Sequence, residues 1–346
     1  MMYVRSTSIT HFSILAPSMP QIPCVDGGKV SLFAKNKRHL PKTARTLDEL
    51  GYIFKNGKLK HVGIFKDVMF NTEKENIIND LAKELRYEVY NALDEYVYKL
   101  LEKEGLKKLP VPKKSSDLTL EKSFIYASTD SFTNDKLIII VNGCGAVVGQ
   151  WSRQTIINYG LDYGTQISYV DKAKKLGYGI LLLNINDNLR IIDGKLELIQ
   201  GSIDGYQHFK TVWKNYIQDC QAKNIAIIAH NFGGDCVIRN GMILEEHFKK
   251  RVFAVALIDS PLNVCCESSI LKTICKFWTF KNIKIDNGNV EYIISDDNDR
   301  RKLPFLCMKP IFNYIQRKYF RVKDISRKSV MMVYSDNETS SHVKIK

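Results

Sequence analysis

The chain reads as an α/β fold with a mostly parallel sheet and helices on both faces. Three observations predict it: unbroken apolar runs of strand length, amphipathic segments between them, and turn residues at the junctions. The runs are Leu137–Val141, Gly179–Leu183, Ile225–Ala229, Val252–Ile258 and Val290–Ile294, and helical patterns at 166–176, 206–222, 233–248 and 310–320 separate or follow them. A strand covered on both faces has no polar side to show, so its apolar run does not alternate.

Ahead of this core, residues 1–46 lack sustained periodicity and carry the basic cluster Lys35, Lys37, Arg38, His39 and Lys42, the composition of a disordered arm. Asn56-Gly57 stands between Tyr52-Ile53-Phe54 and Leu59-Lys60-His61-Val62 and signals a tight β-hairpin. From Glu73 to Leu101 the i, i+4 row Ile77, Leu81, Leu85, Val89, Leu93, Val97, Leu101 predicts a long amphipathic helix whose stripe lies on a sheet. Gly105 stops that helix, and Pro110 and Pro112 lead through a polar linker into Phe124-Ile125-Tyr126. One domain is expected over 47–322, followed by a basic, flexible tail at 323–346.

At 346 residues, 45% hydrophobic and 25% charged, the chain can bury a large core. Its net charge of +14 is concentrated late, since residues 300–346 hold twelve Lys/Arg against three Asp/Glu. Such a segment suits an acidic partner (nucleic acid, anionic lipid or an acidic protein patch) or simply a solvated tail, and charge alone does not choose. Arg5, His11, Pro17 and Pro20 interrupt the first apolar pieces, so no signal-peptide core is expected, and no run reaches membrane-spanning length. The eight cysteines show no CxxC spacing and no neighbouring histidine pattern. Neither a metal site nor a disulfide framework is expected, and a reduced intracellular compartment, nuclear or cytoplasmic, fits best.

In a parallel sheet the site lies at the carboxyl ends of the strands. The loop Asn142-Gly143-Cys144-Gly145, with Gly149 following, reads in three ways: a loose dinucleotide fingerprint, an oxyanion loop, or a tight glycine turn. The first needs an acidic residue at the end of the next strand, where Asn184-Ile185-Asn186-Asp187 is ambiguous, so no cofactor is expected. The second informative loop is Ala229-His230-Asn231-Phe232-Gly233-Gly234, between a buried strand and a helical segment. A strand-to-helix turn of this kind carries the nucleophile of a serine hydrolase, held at positive φ, with glycines giving helix and strand room to approach. Asparagine tolerates positive φ, but its amide has no hydroxyl to deprotonate.

Collinear segments from about Leu47 to Phe320 carry a family likeness: Glu95–Lys103, Lys122–Ile125, Gly143–Gly145 with Gly149-Gln150-Trp151, Gly164–Ile167, Gly177–Gly179, Ala229-His230, Phe232-Gly233-Gly234, Val255–Leu257 and Asp259-Ser260. The chain resembles the cotranscriptional-regulator family carrying the Argonaute-binding protein two domain, an α/β-hydrolase-like fold also appended to some histone deacetylases. The resemblance places the family's elbow serine at Asn231, its His-Gly loop at Asn142-Gly143, its acid at Asp259 and its Asp-Arg-His motif at Asp299-Arg300-Arg301. Nucleophile and base are thus both replaced, a loss on the order of 10⁶ in turnover for a serine hydrolase.

The expected function is a non-catalytic interaction module, for which the family's Argonaute association implies partners in small-RNA, chromatin or alternative-splicing complexes. The vestigial positions are Asn231, Asp259 and Arg301, with Asn142, Gly143, Cys144, Gly145, His230, Phe232 and Gly233 as the remains of oxyanion loop and elbow. An altered hydrolase is the alternative, with Cys144 or Cys236 as thiol and His230 as base. Direct RNA binding through Tyr314, Arg317, Lys318, Tyr319, Phe320 and Arg321 is a lesser one, against the reading of that segment as a packed terminal helix. Arg301 is expected to clamp Asp259, with Arg300 as the second choice.

Overall fold

The computed structural model describes residues 45–62, 80–114, 122–192, 194–260, 268–280, 290–293 and 299–340. The arm at 1–44 and the start of the long apolar row, including Ile77, lie outside them. The described chain opens with the expected hairpin, β1 (Tyr52–Lys55) and β2 (Lys58–His61), in antiparallel register with Lys55 opposite Lys58. Asn56 and Gly57 have φ of 53° and 73°, the pair of left-handed residues that matches a two-residue turn to the strand twist.

Helix α1 (Asp80–Lys103) follows and buries Val89, Leu93, Val97 and Leu101. The stripe was expected on a sheet, yet Val89, Leu93 and Val97 pack with Tyr52 and Leu59 of the hairpin and with Ile156 and Ile157, while Leu101 joins the core of the large sheet. A two-stranded ribbon cannot bury its own apolar face, and the helix supplies the missing layer. The presumed linker is also partly ordered: β3 (Leu106–Val111) pairs antiparallel with β4 (Ser123–Ser128). Its buried ends, Leu106 and Val111, flank the polar centre Lys107-Lys108 and Pro110, which hides the strand from pattern reading. Proline is tolerated because β3 is the outermost strand.

The remaining strands are β5 (Lys136–Val141), β6 (Gly179–Leu183), a separate hairpin of β7 (Leu189–Ile192) and β8 (Lys195–Leu198), then β9 (Asn224–His230), β10 (Val252–Ile258), β11 (Cys275–Phe280) and β12 (Val290–Ile293). The eight-stranded sheet has the order β12-β11-β10-β9-β5-β6-β4-β3, with β4 antiparallel to both neighbours and the strands from β6 to β12 parallel. This order, with its second strand reversed, is that of an α/β-hydrolase-like fold.

Between the strands lie α2 (Arg153–Tyr159), α3 (Leu161–Gly164), α4 (Ile167–Lys175), α5 (Gly205–Val212) running into a π turn (Trp213–Ile217), α6 (Phe232–Ile243), α7 (Glu245–Arg251) and α8 (Ser269–Ile274). A 3₁₀ turn (Arg300–Lys302) leads into α9 (Leu303–Ser340). One face of the sheet, through Leu137, Ile139 and Val141, packs on Phe209 of α5 and Val237 of α6. The other, through Ile138 and Ile140, packs on Val170 of α4 and Ile311 and Ile315 of α9. Helix α9 continues through 323–340, where a flexible tail was expected, since residues 311–340 contain neither Pro nor Gly to stop it.

Candidate functional site at the carboxyl edge of the sheet

Strand β9 ends at His230 and α6 starts at Phe232, so a single residue, Asn231, makes the whole turn with φ 48° and ψ −123°. Its N–H donates to the carbonyl of Ile258 at 2.8 Å, tying the turn to β10. Two close approaches require glycine after it. A Cβ on Gly233 would stand 2.3 Å from the carbonyl oxygen of Asn142, and one on Gly234 would stand 2.2 Å from Ser260 Oγ. Positive φ at the apex with glycines beneath is the geometry of a nucleophile elbow.

The Asn231 side chain turns back on its own helix. Its Oδ1 accepts from the Phe232 N–H at 2.7 Å. In hydrolases of this fold the N–H after the nucleophile is one of the oxyanion donors. Here that donor is engaged by the residue standing where the nucleophile would be.

His230 does not face the turn as a poised base. A Cβ on Gly143 would lie 2.7 Å from His230 Nδ1, so the ring packs against the glycine loop, and it meets Trp151 edge-on at 5.8 Å. Nδ1 is shielded from solvent and has no hydrogen-bond partner among the described residues. Burial pushes the imidazole down to about 4; Asp259 opposes that shift and Arg300 adds to it.

Asp259 follows β10 directly, also with positive φ (47°), and side by side with Asn231 because Ile258 pairs with His230. The clamp on it is made by Arg300 and not by Arg301. Arg300 Nε donates to Asp259 Oδ2 at 3.0 Å and its Nη2 to Oδ1, a bidentate pair. Arg301 instead folds onto Asp299, with Nε to Oδ1 at 2.8 Å and Nη2 to Oδ2 at 2.7 Å, and reaches the Tyr159 hydroxyl at 3.1 Å. Asp299 also accepts from the Arg301 N–H at 3.0 Å and the Tyr159 hydroxyl at 2.5 Å. This environment, Arg301 above all, holds its carboxyl well below the usual carboxylate range. Adjacent residues of a 3₁₀ turn project about 120° apart, so only one of the two arginines can reach Asp259.

The glycine loop is braced from both sides. Asn142 is fully buried; its Oδ1 accepts from the Ile185 N–H at 3.4 Å. Asn186 Nδ2 donates to the carbonyls of Gly143 and Ala146, both at 2.7 Å, and Asn184 Oδ1 accepts from the Val148 N–H at 3.0 Å. On the far side Arg153 Nη1 donates to the Gly145 carbonyl at 3.0 Å while its Nε and Nη2 grip Asp94 of α1 at 2.8 and 2.6 Å. Gln150 adds a bond to Asp94 at 2.8 Å, and a Cβ on Gly149 would come within 2.7 Å of Leu101. The Gly149-Gln150-Trp151 motif therefore docks α1 beside the loop. Sequence reasoning missed Asp94, Arg153 and Tyr159 as supports and ranked Arg300 second to Arg301; the polar stretch Asn184–Asp187 is the one signal available. Cys144 is exposed on the loop, whereas Cys236 is buried in α6, away from solvent.

Among the described residues no group of three or more His, Cys, Asp and Glu is placed to hold a metal ion, and no helix there is long and apolar enough to cross a membrane. The arrangement as folded offers a strained turn, an occupied oxyanion donor and a neutralised carboxylate.

The Arb2 domain matches residues 43–268 of the chain. The chain is 31% identical to the cotranscriptional regulator ARB2A homolog of Gallus gallus and 30% identical to cotranscriptional regulator ARB2A of Homo sapiens; each match covers 63% of this chain and 64% of the relative. The matched part is thus less than two thirds of those proteins' length. Among solved structures, a histone deacetylase from Saccharomyces cerevisiae aligns over 66% of this chain and 97% of its own, with 13% identity and a TM-score of 0.44.

Proposed function

Since the chain belongs to the Arb2 domain family, we propose that it is a non-catalytic protein of α/β-hydrolase-like fold that works by binding other proteins in cotranscriptional regulation. The observation that carries this reading is the hydrogen bond from the Phe232 N–H to Asn231 Oδ1. It leaves the elbow without a hydroxyl and without its free oxyanion donor, and Arg300 holds the neighbouring Asp259 as an ion pair. The triad positions Asn231, Asp259 and Arg301 are vestigial in this reading. The names of the avian and human relatives support a nuclear setting, and the family resemblance points to Argonaute or to chromatin and splicing factors as the partner class.

The test has two arms on the purified chain. A fluorophosphonate probe and a thiol-directed probe are expected to give no labelling coupled to ester turnover. The chain, mixed with purified Argonaute, is expected to co-elute on size exclusion. Stoichiometric labelling with turnover would show a working hydrolase built on Cys144 or another group, and absence of co-elution would remove Argonaute as the partner.

A further inference from the structure

Away from the elbow, the outer edge of the sheet carries a second feature. Beside β3 a concavity of about 460 Å³ is lined by Lys108, Pro110, Lys122, Ser123, Phe124 and Arg190. Among its described lining residues, the charge not already paired is that of two lysines. Arg190 is bound to Asp187 through both carboxylate oxygens, at 2.5 and 3.0 Å, and donates to the Lys122 carbonyl at 3.0 Å, so it cancels Asp187 and anchors the backbone of Lys122. Neither Lys108 nor Lys122 makes an ion pair among the described residues. Exposed Lys107, Lys113 and Lys114 extend the positive charge along the same edge.

The floor is apolar. Phe124, half-buried, sits with Pro110 opposite it in register, and Lys108 Nζ rests 3.7 Å from the centre of the Phe124 ring.

The matching ligand has oxyanions for two ammonium groups and a flat apolar face for the floor. A peptide adding a strand to β3 fits less well, because Pro110 lacks an N–H and the flanking lysines discourage strand pairing. Two of the three aromatic candidates of the C-terminal segment are committed elsewhere: Tyr314 bonds the Ile274 carbonyl at 2.5 Å and Tyr319 packs on Phe253, which leaves Phe320 alone exposed among them. We propose that the β3 edge binds single-stranded nucleic acid, with phosphates on Lys108 and Lys122 and a base on the Phe124–Pro110 floor.

Fluorescence anisotropy of the full chain with a labelled oligouridylate of about twelve nucleotides tests this. The K108E/K122E variant is expected to bind at least about tenfold more weakly, with the salt dependence reduced by about 1.4, the slope of two phosphate contacts on a single strand. The R317E/R321E variant makes the same charge change on the exposed face of α9 and is expected to shift affinity less than about twofold. Equal losses in the two variants would mean that bulk charge alone binds the strand. That result, tighter binding of a poly-glutamate peptide than of the oligonucleotide, or no binding by the unmodified chain would each overturn the proposal.

Discussion

Two bidentate Asp–Arg pairs brace the carboxyl edge of the sheet, and they differ in where they stand. Asp94–Arg153 joins α1 to the glycine loop with side chains 12% and 24% exposed, and Gln150 shares the same carboxylate. Asp259–Arg300 joins the end of β10 to the turn before α9, with a carboxylate only 10% exposed but a guanidinium 56% exposed. The chemistry is the same, yet a desolvated charge needs its partner and a solvated one has water as a substitute. The glycine loop is therefore held as part of the core, while the pair beside the turn at Asn231 keeps its guanidinium end in solvent.

The largest effect expected from this contrast is on Asp94. Asp94→Ala strands the Arg153 guanidinium and should cost about 3–5 kcal/mol in urea unfolding; a loss under about 1 kcal/mol would show that the two pairs are alike after all. Acid should act on the buried side too. His208, fully buried, accepts from the Asn184 N–H at Nε2 (3.3 Å), so Nδ1 carries the proton toward Ser202 Oγ at 2.8 Å. Burial pushes its pKa down to about 4. The unfolded chain, with an ordinary imidazole near 6.5, then binds more protons than the folded one between these values. Stability is full above about pH 6.5 and falls as pH drops toward 4, by about 3 kcal/mol for this group. Replacing it, His208→Gln, should flatten the stability–pH curve over that window, and an unchanged slope would assign the acid sensitivity to His230 instead.

Smaller effects belong to the solvated pair. Asp259→Asn, which leaves only the solvated Arg300 guanidinium without its partner, should lower stability by about 0.5–1 kcal/mol, read from the same unfolding curves; a cost equal to that of Asp94→Ala would erase the distinction. Smallest of all is Asn231→Ser. With Asp259 bound to Arg300 and arginine at 301, ester turnover should stay at background and stability should fall by less than about 1 kcal/mol, the difference in tolerance of positive φ. Measurable turnover would mean that His230 can reach the new hydroxyl.

The buried strands were legible because two covered faces leave no polar alternation, and β10 starts and ends where the pattern places it. β3 and β11 were not. The first interrupts its apolar ends with lysines and a proline, and the second, Cys275-Lys276-Phe277-Trp278, is a short mixed run that pattern alone cannot separate from a helix end. At the site, the turn at Asn231 could be read from one hexapeptide, since few residue types besides glycine accept that backbone. The choice between the two arginines for Asp259 could not, because Asp259 and Arg300 stand 41 positions apart and Asp299 competes for Arg301.

What the sequence by itself determined is therefore what depends on neighbours along the chain: strand and helix periods, the hairpin turn and the tight strand-to-helix turn at Asn231. Tertiary structure alone decided which arginine neutralises Asp259, that the stripe of α1 covers the hairpin, and that Asp94 and Arg153 hold the glycine loop. Periodicity survives small shifts of the backbone because burial averages over many contacts, whereas a bidentate ion pair is made or lost within an ångström or so, and that distance is set only when distant segments pack.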